Sequence, residues 1–158
     1  MLRYIVINLK KGKNMKNLSI ILGLLFITTV SADGHMQSEK DVLSALNKYF
    51  DARNAQDFDT VVALTSKTGS LDTNSDGSFH KPNNVMTAED WENSSQGGVT
   101  KVHYPEATQI SKDVVHVRFY SEGMVFSGEN ASDYRTRVTM NWIKENGAWV
   151  MKLSLIHI

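Results

Sequence analysis

The residues able to do chemistry in this chain are few in kind. Five histidines and 17 acids are spread along 158 residues, and cysteine is absent. Without a thiol there is no disulfide framework, no thiolate nucleophile, no thiolate metal ligand and no lipid-modified cysteine. No two histidines stand at the short helical spacing of a zinc site, so neither a metal nor a cofactor is expected. His103 and His116 fall on the polar positions of alternating segments, where a solvent-facing imidazole is the plain reading and a chemical role the sharper one. Arg118, Arg135 and Arg137 share that polar side. Three guanidinium groups there can grip an anion, or face solvent or a second subunit.

Elements must position these groups. "SEKDVLSALNKYFDARNAQD" sets Val42, Leu43, Leu46, Tyr49 and Phe50 at three- and four-residue steps, the pattern of an amphipathic helix of about four turns with Ser38 as its expected N-cap. A shorter helix is predicted over residues 58–64, capped by Asp57. Residues 65–98 are rich in Ser, Thr, Asn, Asp and Gly. Within them "GSLDTNSDGSFHK" reads as a strand pair turning at Ser75-Asp76-Gly77, because Gly tolerates the positive φ of a tight hairpin, and "TAEDWENS" reads as a helical turn.

The period then changes to two. "KVHYPEATQI", "DVVHVRFYSEGMVF" and "DYRTRVTMNWIK" carry the Val, Thr, Tyr, Phe and Trp residues that suit half-buried strands. Helices first and antiparallel strands after give an α+β domain. With Asn146-Gly147 as a two-residue turn, Lys144 faces Trp149, Trp142 faces Met151, Asn141 faces Lys152 and Met140 faces Leu153. One face then carries Val138, Met140, Trp142, Trp149 and Met151, joined by Val115, Val117 and Phe119 of the preceding strand. That face must meet the helices.

Residues 1–32 are of another kind. They hold Arg3, Lys10, Lys11, Lys13 and Lys16 and no acid, then the apolar run "LSIILGLLFITTV" and the small-residue site "VSA". These are the parts of a signal peptide, and the apolar run falls short of the roughly 20 residues that span a bilayer. Cleavage after Ala32 leaves Asp33 first. "KKGKNM" can be encoded with an AAGGA-type ribosome-binding sequence ahead of the Met codon, so residues 1–14 read as an untranslated leader and 15–32 as the signal. Five of the 17 Lys and Arg lie in residues 1–32 and none of the 17 acids does, so the remainder is net negative. Such a domain lacks the clustered bases that nucleic-acid binding needs. A periplasmic or secreted protein, free of the membrane after cleavage, is expected.

The end of the chain raises a separate expectation. Leu153 to Ile158 translate the string CTG TCT CTT ATA CAC ATC, the inner part of a transposase recognition end used in preparing sequencing libraries. Residues 153–158 therefore read as adapter read-through in place of the natural C-terminus, and 33–152 as the domain.

Two segments resemble the SnoaL-like branch of the nuclear transport factor 2-like superfamily. "LSALNKYFDARNAQDFDTVVAL" is similar to its first helix pair. "RTRVTMNWIKENGAWVMK" is similar to its most recognisable segment, in which Arg, Thr, Trp, Lys, Gly and Trp fall where Arg137, Thr139, Trp142, Lys144, Gly147 and Trp149 stand here. The resemblance spans Ser38 to Lys152. It implies a cone, with three N-terminal helices packed on the concave face of a strongly curved antiparallel sheet and a pocket between them. Members include isomerases, dehydratases and cyclases, and others that only bind or dimerise, so the fold does not fix a function.

The resemblance also points to residues. The isomerases place a base Asp on the strand after the second helix; an ungapped comparison puts Thr73 there, and Asp72 one position away, on the opposite side of a strand. Burial in a cone raises a carboxylate toward working pH, which makes Asp72 a candidate general base and His80 its partner. A solvated carboxylate and an exposed loop imidazole are the plainer alternatives. Tyr49, Trp91, Tyr104, Phe119, Met140 and Trp142 are the candidates to line the cone, with core packing as the alternative. In this branch the last strand continues to a pocket-lining His, at a spacing where this chain has Leu155, and His157 does not take its place. The expected function is to bind a small, mostly apolar molecule in the cone of a homodimer formed through the exposed sheet face. A lyase or isomerase of the same fold, and an interaction domain with a filled cone, are the alternatives.

Overall fold

Val42, Leu46, Tyr49 and Phe50 recur on one stripe of a helix, and all four are buried. The computed structural model describes residues 15–74, 83–94, 98–127 and 130–157. Its elements are α1 (Met15–Ala55), α2 (Phe58–Ala63), β1 (Leu71–Asn74), α3 (Ala88–Ser94), β2 (Gly98–Ser111), β3 (Val114–Ser127), β4 (Asn130–Glu145) and β5 (Ala148–His157). Two units divide the chain, one ending at Gly34 and the other beginning at His35. Among the described residues no helix is long and apolar enough to cross a membrane.

The helical boundaries follow local chemistry, with one exception. Asp57 caps α2 by accepting the Thr60 amide. Thr87 and Asp90 close a reciprocal box at the start of α3, the threonine hydroxyl accepting the Asp90 amide while the carboxylate accepts the Thr87 amide. Ser38 is not an N-cap, because α1 runs through it. No proline interrupts the stretch, and a lone Gly34 costs only about 1 kcal/mol in a helix.

The domain is α+β as expected. β2, β3, β4 and β5 form an antiparallel run, and β1 adds to β5 in parallel, giving the order β1-β5-β4-β3-β2. Bulges bend strands and increase twist, and three register shifts occur, between His103 and Glu106, between Gln109 and Ser111, and between Asn141 and Trp142. The hairpin register holds from Lys144↔Trp149 through Trp142↔Met151 and then slips. Asn141 pairs with Leu153 and Met140 with Ser154, because Lys152 is left over as a bulge. The Ser75-Asp76-Gly77 turn lies outside the described residues; what flanks it is the parallel strand β1 and a bridge between Ser70 and Asn84.

The core forms where α1 lies on the sheet. Val115, Val117, Phe119, Val138, Met140, Trp142, Trp149 and Met151 meet the helical stripe. Tyr49 and Phe50 make edge contacts with Trp142 and Phe119 at centroid distances of 6.3 and 5.4 Å. Two polar clamps fix α1 along β2: Glu39 accepts the Gln109 amide at 2.9 Å, and Asn54 exchanges two 2.8 Å bonds with the Thr100 backbone. Because the clamps sit at opposite ends of the helix segment, the helix runs antiparallel to β2.

Candidate functional site

The end of α1 and the inner face of the sheet do not close on each other completely. Between them lies a cavity of about 760 Å³. Phe50, Met86, Trp91, Val138, Met140 and Ile156 give it apolar walls, and Tyr49, Arg53, Asp72, Asn84, Tyr134 and Ser154 supply its polar groups. A second, smaller cavity of about 230 Å³ shares Arg53, Trp91, Ser94, Thr100 and Val125 with the first and extends toward Gln56, Gly98 and Met124. The two are neighbours across these shared residues.

Tyr49 and Arg53 are four residues apart and so share one face of α1. Burial pushes the Tyr49 phenol above its ordinary value of 10.0; the Arg53 charge opposes the rise, Asp72 adds to it, and a hydrogen bond from Arg53 opposes it further. Burial likewise raises Tyr134, again against the Arg53 charge. The Arg53 guanidinium lies 5.2 Å from the Trp91 ring centroid and 6.0 Å from that of Tyr49, and Phe58 stacks on Trp91 at 6.0 Å. Asp72 accepts the Ser70 hydroxyl at 2.7 Å and is itself exposed.

The structure separates the residues singled out from the sequence. Tyr49, Trp91, Met140 and Asp72 come together on the large cavity. His80 lies outside the described residues. Trp142 is fully buried among core side chains and does not reach the cavity, and Phe119 packs against Phe50. Tyr104 is outside the cone altogether, 85% exposed. The reason is the bulge: Tyr104 and Pro105 together stand opposite the single stretch between Tyr120 and Arg118, and Tyr104 takes a φ of 53°. That extra residue reverses the alternation and turns the ring outward. Arg53, Tyr134, Asn84 and Ser154 were not singled out. Only Arg53 left a signal, its spacing from Tyr49.

The opposite face of the sheet is polar. Arg118 bonds Glu106 through Nε at 2.6 Å, and Arg135 reaches Glu122 at 3.3 Å. Two of the three arginines that might have gripped an anion are thus already paired. His103 lies 3.3 Å from Glu122 and beside the rings of Tyr104 and Tyr120, and His116 Nδ1 meets Asn141 Oδ1 at 2.8 Å. A shallow groove of about 440 Å³ runs over Tyr104, Arg118, Tyr120 and Arg137. Among the described residues no three metal-ligating side chains converge.

No family model and no curated protein matches the sequence. Solved structures do match by shape. An NTF2-like protein with a cystatin-like fold from Novosphingobium aromaticivorans is 10% identical, with a TM-score of 0.59 over 94% of this chain and 92% of that one. A scytalone dehydratase-like protein from the same organism gives 0.62 at 10% identity, over 79% and 86%. The association domain of C. elegans CaMKII gives 0.55 at 16% identity, over 78% and 98%. At these identities the shared property is the fold, and it is nuclear transport factor 2-like.

Proposed function

We propose that this protein binds a small, mostly apolar molecule in the cone. The observation that carries the reading is the cavity of about 760 Å³ walled by Phe50, Trp91, Val138, Met140 and Ile156, a size and lining typical of small-molecule sites. The test is mass spectrometry of small molecules carried through native purification of the protein from its own source. A single compound class at near one per chain supports the reading. A protein that emerges empty, and fails to take up apolar dyes, opposes it.

A second reading is a lyase or isomerase acting in the same cavity. Asp72 favours it, since it lines the cavity and acts on the buried Tyr49 through its charge. Its exposure and its Ser70 partner favour the binding reading instead, because a general base of this kind relies on desolvation. Turnover that disappears in Asp72→Asn would favour the enzyme.

The remaining parts of the proposal concern the setting. The protein is exported through residues 15–32 and works in the periplasm or outside the cell; N-terminal sequencing that begins at Asp33 tests this. It pairs with a second copy through the polar sheet face, a reading supported by the exposed Tyr104 and Tyr120 and by an association domain among the similar folds. Sedimentation of wild type against Tyr104→Arg tests the pairing.

A further inference from the structure

We infer that the ligand of the cone is an amphipathic carboxylate, its apolar body held by the cone walls and its carboxylate held by Arg53, which borders both chambers. This rests on the cone being a binding pocket and goes further by naming the charged end of the ligand. Arg53 is the one cation among the described residues lining either chamber, and it lines both. Its guanidinium lies against two aromatic rings, at 5.2 Å from Trp91 and 6.0 Å from Tyr49. Such contacts set the position of the group without neutralising it. Among the described residues no carboxylate stands within ion-pair distance of it.

Charge pairing decides which ligand such a site prefers. Arg53 lines both chambers while remaining exposed, so a neutral occupant gains nothing from its charge. A carboxylate gains a charge-assisted pair with it. The five N–H donors of a guanidinium include a planar fork that matches two carboxylate oxygens. Asp72, the one acid among the described lining residues, borders the large chamber and not the small one. It keeps the Ser70 hydroxyl as a donor, so the carboxylate belongs on the small-chamber side of Arg53. The backbone there is held, because Asn54, next in sequence, bonds both backbone groups of Thr100.

The experiment uses N-phenylnaphthylamine, a neutral dye that fluoresces in apolar surroundings, as the reporter of cone occupancy. Phenylacetate and phenylacetamide, equal in shape and different in charge, then compete with it. The acid is expected to displace the dye at roughly tenfold lower concentration than the amide, the scale of one charge-assisted pair. With dye affinity measured for each variant as its own reference, Arg53→Gln should lose the preference of acid over amide, and Arg53→Lys should keep part of it. Equal competition by acid and amide in a wild type that binds the dye overturns the inference and leaves the pocket standing. A wild type that does not bind the dye overturns both. A preference that persists in Arg53→Gln, folded by circular dichroism, overturns the assignment to Arg53.

Discussion

The two faces of the sheet are cut from the same strands and serve opposite ends. On the inner face Val115, Val117, Phe119, Val138, Met140 and Trp142 are between 0 and 5% exposed. One position along, Arg118, Tyr120, Arg135 and Arg137 stand in solvent, where exposed ion pairs contribute only about 0–1 kcal/mol each. Stability is therefore concentrated on one face, and the other is left open to partners. The comparison also divides the inner face itself. Trp142 and Val117 are packed solid, whereas Met140 and Val138, on the same stripe, border the hollow. Alternation assigns a residue to a face; where the helices stop covering that face decides whether it is filled.

The contrast breaks most readily at Trp142. Trp142→Ala is expected to cost about 3–5 kcal/mol in urea unfolding, and a loss under about 1 kcal/mol would mean the indole is not part of the core. Gly123→Ala comes next. A Cβ there would collide with the Val99 carbonyl oxygen, so β2 must move off β3, at about 1–3 kcal/mol by the same measurement.

A smaller effect appears in alkali. Because the folded Tyr49 phenol titrates above its ordinary 10.0, its contribution is complete below that value and is lost as pH rises through the folded one. Tyr49→Phe should lessen the alkaline fall in stability, leaving the part due to Tyr134. The smallest effect belongs to the outer face. Tyr104→Ser should change monomer stability by no more than about 0.5 kcal/mol, while sedimentation shows weaker pairing of copies.

How much of this was legible in the sequence depended on how local the cause was. The Asp57 cap, the helical turn at Trp91 and the turn at Asn146-Gly147 rest on neighbours in sequence, and each stands where local chemistry placed it. The inward set of Val138, Met140, Trp142, Trp149 and Met151 followed from period two. What escaped were features set by distant partners. The Lys152 bulge has no local mark, since Lys152 is drawn aside by Thr68 and the Gly69 carbonyl. The parallel pairing of β1 with β5 joins segments far apart in the chain. Tyr104 read as inward because simple alternation contains no bulge. Arg53 is marked in the sequence only by its spacing from Tyr49; the helix clamped onto β2 by Asn54 brings it to the cavity lining, where it stays exposed.

The hollow itself is the central claim, and Met140 is the wall residue through which to test it. Titration with N-phenylnaphthylamine should give one site per chain in the wild type, and binding at least about tenfold weaker in Met140→Trp, where the indole occupies space between β4 and α1. Undiminished binding in a folded Met140→Trp, or no site in the wild type, would contradict the account.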